Sequence, residues 1–223
     1  MSLILYQHPF ASFAQKALVA MYELDLDFEP RLVENEDSRA ELSGLWPMAK
    51  MPVLVDEAAG LMIPESSPVI EYVDALSPDG PVLVSADPAE ALQARIWDRF
   101  LDHYVAMPMQ KIVTDSLRSD DDRDLVGVAE ARETLDTAYG VMETQLAGRS
   151  WIAGDEFGLP DCGAGPALFY THAIHRWDAG SHPGVSRYYR SLVERPSIAR
   201  VIEEARPYRG VFPLPWPDDI DAS

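Results

Sequence analysis

Two scarcities in this sequence of 223 residues exclude particular classes of protein. Cys162 is the one cysteine, so an intrachain disulfide is impossible. No apolar run reaches the roughly 18 residues of a membrane span, and no basic stretch followed by an apolar run opens the chain. These absences predict a cytoplasmic protein without a signal peptide or a membrane-spanning segment.

Positive charge is scarce as well. The chain has 18 Lys and Arg against 37 Asp and Glu, which gives a formal net charge of −19. This balance repels phosphate backbones and anionic lipid, so it disfavours nucleic acid and membrane surfaces as partners. The 5 histidines show no ligand-like spacing with cysteine or carboxylates, and no metal site is predicted. An anionic substrate would need a locally positive patch, for which the candidates are Lys50, Arg95, Arg99 and Lys111.

The first third of the chain alternates between strand patterns and helix patterns. The order is strand, helix, strand, helix, strand, strand, helix, with the segments at 2–6, from Ser12 onward, and at 27–33, 38–45, 51–55, 61–63 and after Glu65. The two late strands form a predicted hairpin. This order predicts an α/β domain with a mixed sheet.

The remainder of the chain loses strand character. Helices are predicted at 89–107, 109–117, 126–146, from Cys162 onward and at 186–206. Pro108 is predicted to end or kink the first of them. The chain from Tyr208 is predicted to be an extended tail that folds back over the helices. The predicted organisation is therefore one domain at 1–77, a proline-rich linker at 78–88 and an all-helical domain at 89–223.

A predicted helix start at Glu65, Ser66 and Ser67 combines a carboxylate with hydroxyl groups. Free N–H groups at a helix start attract anions. With a carboxylate beside them, such a cluster can hold a zwitterion that carries both a carboxylate and an ammonium group. Pro52 lies at the first position of the preceding strand, where a proline is ordinary.

The most specific pattern in the chain is this short strand followed by the acidic helix start. It consists of Lys50, Met51, Pro52, Val53 and Leu54, then Glu65 and Ser66, and then a helix with Ile70, Glu71 and Tyr72. The pattern resembles the glutathione-binding half of the cytosolic glutathione S-transferase superfamily, in a bacterial-type chain with omega-, tau- and theta-like features. The resemblance covers nearly the whole chain. It implies a thioredoxin-like first domain, an all-helical second domain and a homodimer.

The resemblance also implies how glutathione, as co-substrate, would bind. Met51 would pair with the cysteinyl main chain of glutathione through a cis-proline turn at Pro52. Glu65 and Ser66 would hold the γ-glutamyl end. Lys50 would reach the glycyl carboxylate.

A second stretch, at 151–161, is similar to the start of the central helix in that family. Many transferases have a Ser or Thr three residues before the aspartate that corresponds to Asp161. Gly158 stands there in this chain, so the N-cap lacks a side-chain hydrogen bond worth about 1 kcal/mol. Asp161 is predicted to be structural. Cys162 is predicted to be a small core residue, because a catalytic thiol needs an exposed electropositive setting.

The chemistry of the family requires the glutathione thiolate. A thiol with a pKa of about 8.5 is ionised to only a few per cent at neutral pH. A hydrogen-bond donor at the turn from His8 to Phe13, beside a helix start, would lower that pKa. Ser12 is the first candidate, because it precedes Lys16 with the spacing of theta-like and delta-like transferases; its alternative role is the N-cap of the helix. Tyr6 is the second candidate, and its alternative role is a half-buried strand aromatic.

A spacing one residue longer places Ala11 at the catalytic position of the tau-, zeta- and omega-like classes. The surrounding run from Pro9 to Lys16 looks most like the omega-like run, which has a cysteine at that position. An alanine there would exclude thiol transfer through a mixed disulfide with the enzyme. The sequence leaves the choice between Ala11 and Ser12 open.

The second substrate is expected against the helix at 89–107. The set Phe100, Tyr104, Met107 and Met109 is apolar and adaptable. Together with this set, the resemblance implies a glutathione transferase-like enzyme whose glutathione thiolate attacks a small hydrophobic electrophile. A related alternative is glutathione-dependent isomerisation or peroxide reduction. The alternative from another class is a non-catalytic binding or scaffold protein with the same fold.

Overall fold

The computed structural model describes residues 2–221, and the first part of this range is built on a four-stranded sheet. The order β2-β1-β3-β4 has β1 parallel to β2, and β3 antiparallel to both β1 and β4. The elements are β1 Leu3–Gln7, α1 Ser12–Glu23, β2 Glu29–Leu32, α2 Glu36–Leu45, β3 Val53–Asp56, β4 Leu61–Pro64 and α3 Ser66–Leu76. The predicted α/β domain with a mixed sheet is confirmed. Pro30 lies on β2, an edge strand, where a residue without an N–H is tolerated.

The two faces of the sheet are covered by different helices. Successive side chains of a strand point to opposite faces. Leu3 and Leu5 of β1 therefore pack into the large core with α1 and α3. Ile4 and Tyr6 face the other way, into a smaller cluster with Leu42 of α2. Tyr6 therefore lies on the face of the sheet opposite to α1, which matters for its predicted role as a hydrogen-bond donor to the thiolate.

The rest of the described chain is helical, as predicted. Its elements are α4 Pro88–Leu101, a π-helical turn Asp102–Ala106, α5 Met107–Asp115, α6 Leu125–Gln145, α7 Leu159–Ile174, α8 Pro183–Val193 and α9 Pro196–Ala205, with short 3-10 turns at Asp120–Asp122, Arg206–Val211 and Asp218–Asp221. The central helix is α7, in which every residue from Leu159 to Thr171 is buried. Cys162 is fully buried in it, and burial raises the pKa of its thiol well above the ordinary value.

The helix predicted to run to Met107 changes character earlier than expected. The regular α-helix ends at Leu101, and five residues of wider π-helical turn follow before α5. Pro108 is then the second residue of α5. A proline inside a helix lacks one N–H, and its ring clashes with the carbonyl four residues back, so the preceding turn has to widen. The predicted break is therefore real but lies one turn upstream of the proline.

The C-terminal tail packs back over the helices as predicted, but short 3-10 turns at Arg206–Val211 and Asp218–Asp221 replace part of the predicted extended segment. Arg176 donates to both carboxylate oxygens of Asp219, each at 2.6 Å. Ile220 is buried against Met109 and Tyr170. The tail therefore packs over α5 and α7. Positions 222 and 223 of the predicted tail lie outside the described residues.

Two features are absent from residues 2–221. None of the helices within 2–221 combines the length and the hydropathy needed to cross a membrane. In the same range, no three His, Cys, Asp or Glu side chains are arranged to hold a metal ion.

Candidate active site at the edge of the sheet

Three loops meet at one edge of the sheet. In the strand register Tyr6 pairs with Val53, and Val53 pairs with Pro64. The end of β1, the start of β3 and the end of β4 therefore lie side by side. The helix that follows β1 starts at Ser12, and the helix that follows β4 starts at Ser66. Strand pairing thus gathers site residues that are far apart in the sequence.

The start of α1 leaves N–H groups available for an anion. Ala11 is its N-cap and Ser12 its first helical residue, so the alternative role of Ser12 as the N-cap is not what the structure shows. No side chain of the described residues caps this helix start. The first N–H groups of a helix have no intrahelical partner, and the helix dipole adds partial positive charge there. Ser12 is 8% exposed, and its Oγ accepts a hydrogen bond from Gln110 Nε2 at 3.3 Å.

Side chains within the turn before α1 hold it in shape. The Phe10 N–H donates to His8 Nδ1 at 3.1 Å. The amide of Gln15 donates to the Pro9 carbonyl at 2.8 Å. Burial lowers the pKa of His8, which favours the neutral imidazole that accepts this bond. His8 therefore helps to hold the turn in shape.

The second and third loops supply the groups predicted for the ends of glutathione. The Met51–Pro52 peptide bond is cis, as the family resemblance implies. Glu65 is the N-cap of α3 with φ 73°, a conformation that costs a non-glycine residue roughly 1–3 kcal/mol and is found mainly at binding sites. The Glu65 carboxylate is exposed, whereas Ser66 is buried. Within residues 2–221 neither side chain makes a hydrogen bond, which leaves both available to a ligand.

Tyr6 is held away from this chemistry. Its hydroxyl donates to Glu41 Oε1 of α2 at 2.6 Å, on the face of the sheet opposite to α1. Burial, with the Glu41 carboxylate beside it, raises the pKa of Tyr6 to about 12. A hydroxyl that already donates to a carboxylate is a poor donor to a second anion. The geometry therefore favours Ser12 over Tyr6 as the thiolate stabiliser.

A cleft of about 370 Å³ opens beside Ser12, between the first part of the chain and the helices. Its polar groups come from Ser12, Lys50, Gln110 and Thr114. Its apolar lining includes Phe10, Met109, Val113, Leu117, Tyr170 and Phe212. Such a mixture of an apolar wall and a few convergent polar groups is typical of small-molecule sites.

The predicted second-substrate residues lie elsewhere, apart from Met109. Phe100 and Tyr104 line a separate depression of about 520 Å³ against α6. Met107 is exposed. The cleft is instead lined by Met109, Gln110 and Val113 of α5 and by no residue of α4. The spacing of apolar residues in the sequence did not indicate Phe212, which reaches the cleft from the C-terminal tail.

Of the four candidate cations, Lys50 alone lines the cleft. Arg95 is paired with Glu71 at 2.7 Å, and Lys111 with Asp124 at 2.7 Å. Arg99 is also paired, with Asp102 at 2.6 Å. Lys50 forms no ion pair within residues 2–221 and is exposed. It is therefore the available cation for an anionic group bound in the cleft.

A cluster of buried charged side chains connects the helices that carry the site residues. Lys16 of α1 is 2% exposed, and its Nζ lies 2.6 Å from Asp98 Oδ1 and 2.8 Å from Asp102 Oδ1. The same Nζ donates to Ser67 Oγ at 2.9 Å. Burial raises the pKa of Asp102, and the Lys16 charge opposes that effect. The cluster ties the starts of α1 and α3 to α4, so it fixes Ser12 and Ser66 relative to each other.

Comparisons with known proteins agree with this architecture. The family described as glutathione S-transferase, N-terminal domain, matches residues 5–81, and the glutathione S-transferase C-terminal domain matches 126–191. The chain is 24% identical to glutathione S-transferase GstB of Escherichia coli, over 84% of this chain and 91% of that protein. It is 25% identical to FtsZ-localized protein A of Caulobacter vibrioides, over 97% of each. A glutathione S-transferase from Methylobacterium radiotolerans, solved in complex with glutathione sulfonate, superposes with a TM-score of 0.78 at 26% identity, over 91% of this chain and 95% of that one.

Proposed function

The chain belongs to the cytosolic glutathione S-transferase superfamily, and from that premise we propose that it binds glutathione beside Ser12 and activates its thiol toward a hydrophobic electrophile. The observation that carries this proposal is the position of the Ser12 hydroxyl. It lies in the first turn of α1 and at the mouth of an apolar cleft, while its proton is donated to no acceptor among residues 2–221.

The proposed binding mode uses groups that have no other partner in the described structure. The Glu65 carboxylate faces the ammonium of the γ-glutamyl end, and the Ser66 hydroxyl and the α3 N–H groups face its carboxylate. The main chain of Met51 pairs with the cysteinyl residue. Lys50 holds the glycyl carboxylate. With both ends fixed, the cysteinyl sulfur is directed toward Ser12.

The proposed reaction is a nucleophilic substitution or addition. The thiol proton leaves to solvent, and the resulting thiolate is stabilised by the Ser12 O–H and by the N–H groups of α1. The sulfur lone pair then forms a bond to an electrophilic carbon. In substitution a leaving group departs with its bonding electrons; in addition the neighbouring atom takes a proton from solvent. Ala11 provides no thiol, so the enzyme itself forms no mixed disulfide.

The direct test is the ultraviolet difference spectrum of glutathione mixed with the protein, recorded as a function of pH. It reports the thiolate itself and needs no second substrate. We expect a thiolate signal with a pKa well below that of the free thiol. Binding without such a signal would favour the non-catalytic role that the sequence left as the alternative. No binding would refute the glutathione site altogether.

Two substitutions separate activation from binding. Ser12→Ala should lower the ratio of bound thiolate to thiol by about tenfold or more, because a hydrogen bond to a charged acceptor contributes about 1.5–3 kcal/mol. Glutathione affinity at acid pH should change little in that variant. Glu65→Gln should instead weaken binding about tenfold or more and leave the pKa of bound glutathione unchanged. If both variants gave the same pattern, the division of roles proposed for these residues would be wrong.

We also propose that the chain forms a homodimer through an apolar surface on α4 and α5. Exposed apolar side chains lie along this surface at Leu92, Ile96, Tyr104 and Met107. Sedimentation equilibrium should give twice the mass of one chain. Ile96→Glu should shift the protein toward the monomer, because it places a charge on the apolar surface. Val211→Glu, at an exposed apolar position of the tail, is the matched control and should leave the dimer intact. A monomeric wild type would contradict the proposal.

A further inference from the structure

A glutamine on α5 contacts the hydroxyl on which the proposed chemistry depends. Gln110 Nε2 lies 3.3 Å from Ser12 Oγ and donates to it. We propose that Gln110 is a positioning residue, which directs the Ser12 O–H into the cleft and thereby increases the ionised fraction of a thiol bound there. The inference rests on the proposed function and assigns it a further residue.

The argument follows from what a serine hydroxyl can do. It has one proton to donate and two lone pairs that accept. An amide N–H carries no lone pair, so the oxygen must accept from it and must point its own proton elsewhere. The proton has three staggered positions about the C–O bond. Occupying a lone pair with the Gln110 amide disfavours the one position that points at Gln110 and leaves the other two for donation to a ligand in the cleft. Accepting one hydrogen bond also polarises the hydroxyl and makes it a better donor.

No other described group competes for the proton. Within residues 2–221 the bond from Gln110 is the one hydrogen bond of the Ser12 side chain. The orientation of the hydroxyl therefore depends on Gln110 until a ligand arrives.

The backbone that carries Gln110 is fixed by its neighbours. Met109 is buried on one side of it. Lys111 on the other side is ion-paired with Asp115 and Asp124. The Gln110 carbonyl accepts from Thr114 Oγ1 at 2.7 Å. This segment of α5 is thus anchored at several points, so the amide is held where it can act on Ser12.

The test measures the ratio of bound thiolate to thiol, by the same difference spectrum at fixed pH. Gln110→Leu should lower the ratio by about twofold, because the proton regains the third staggered position and the hydroxyl loses the polarisation supplied by the accepted bond. Gln110→Glu should lower it by about tenfold or more, because a carboxylate accepts the Ser12 proton and adds negative charge near the sulfur. In a Ser12→Ala background Gln110→Leu should have no further effect. Gln93→Leu, the same change at an exposed position of α4, is the matched control.

Each other outcome has a definite meaning. A ratio that rises in Gln110→Leu would show that the glutamine competes for the Ser12 proton, which overturns the inference. An unchanged ratio, or an equal loss in the Ser12→Ala background, overturns it as well. A wild-type protein that binds glutathione as the neutral thiol would instead refute the proposed activation, and this result is distinguishable because it appears before any variant is made. Near-ultraviolet circular dichroism of each variant separates these results from misfolding.

Discussion

Lys16→Met is expected to lower the free energy of unfolding by about 3–5 kcal/mol. The substitution removes the buried cation that contacts both Asp98 and Asp102 and leaves the two buried carboxylates with the more exposed Arg99 as their remaining cation. Removing one partner of a buried ion pair is costly because the remaining charge has no water to solvate it. Methionine retains most of the aliphatic stem, which packs so closely on α7 that an added Cβ at Gly163 would lie 3.0 Å from Lys16 Cδ. The loss of free energy of unfolding therefore measures the effect of the missing charge and not that of a cavity.

Urea unfolding followed by circular dichroism provides the measurement, with Arg95→Met as the control. Arg95 forms a bidentate ion pair with Glu71 at the surface, where water screens both charges, so its loss should cost less than about 1 kcal/mol. The deficit of Lys16→Met should also depend on pH. A buried carboxyl group with a raised folded-state pKa becomes charged as the pH rises through that pKa, and the folded protein then loses stability. The free energy of unfolding lost in Lys16→Met should therefore be smaller in acid. Equal effects of the two substitutions would contradict the assignment of a supporting role to the cluster.

Asp161→Ala is expected to destabilise the protein by about 3–5 kcal/mol as well. Asp161 has no exposed surface, and it accepts from the Gly158 N–H at 2.9 Å and from the Ile152 N–H at 3.2 Å. The hydroxyl of Tyr188 donates to it too. Truncation leaves the two buried donors of Ile152 and Tyr188 and the part-buried Gly158 N–H without this acceptor, and each buried one costs about 1–3 kcal/mol. The carboxylate thus compensates for the missing side-chain acceptor at Gly158, the N-cap of α7.

The matched control is Asp87→Ala, which removes an exposed helix cap. Asp87 accepts from the N–H groups of Ala89 and Glu90 at the start of α4, and its loss should cost about 1 kcal/mol because water can replace it. Burial raises the pKa of Asp161 to about 6, so its stabilising contribution is fully present in acid and decreases as the pH rises through that value. Thermal melts at several pH values would show this trend. A cost no larger than that of Asp87→Ala would show that α7 does not depend on Asp161.

The sequence allowed the order of strands and helices to be predicted, because each element has its own period of apolar residues. The helix start at Glu65 and Ser66 could also be predicted from sequence, since a carboxylate and hydroxyl groups before an apolar helical pattern are typical of a helix start. Both kinds of signal are contained within a few residues. Contacts between side chains that are far apart in the sequence leave no such local pattern.

The less predictable parts of the site depend on such contacts. Phe100 and Tyr104 have the apolar spacing of a cleft wall, yet only the rotation of α4 within the fold decides which cavity they line. Tyr6 ends a strand as a catalytic tyrosine would, yet its partner Glu41 comes from another helix. Gln110 and Phe212 reach Ser12 from distant segments. A single sequence contains no pattern that links these positions.

The cleft beside Ser12 has walls of two different kinds. The side proposed to hold glutathione is formed by paired strands and by the helix starts that follow them. A substitution that shifted the strand register there would therefore displace all the groups on that side together. The opposite side includes Phe212, in an irregular segment that follows the helices. Irregular surface segments accept substitutions, insertions and deletions that strands do not. Related chains can therefore diverge in the electrophiles they admit while they keep one thiol chemistry.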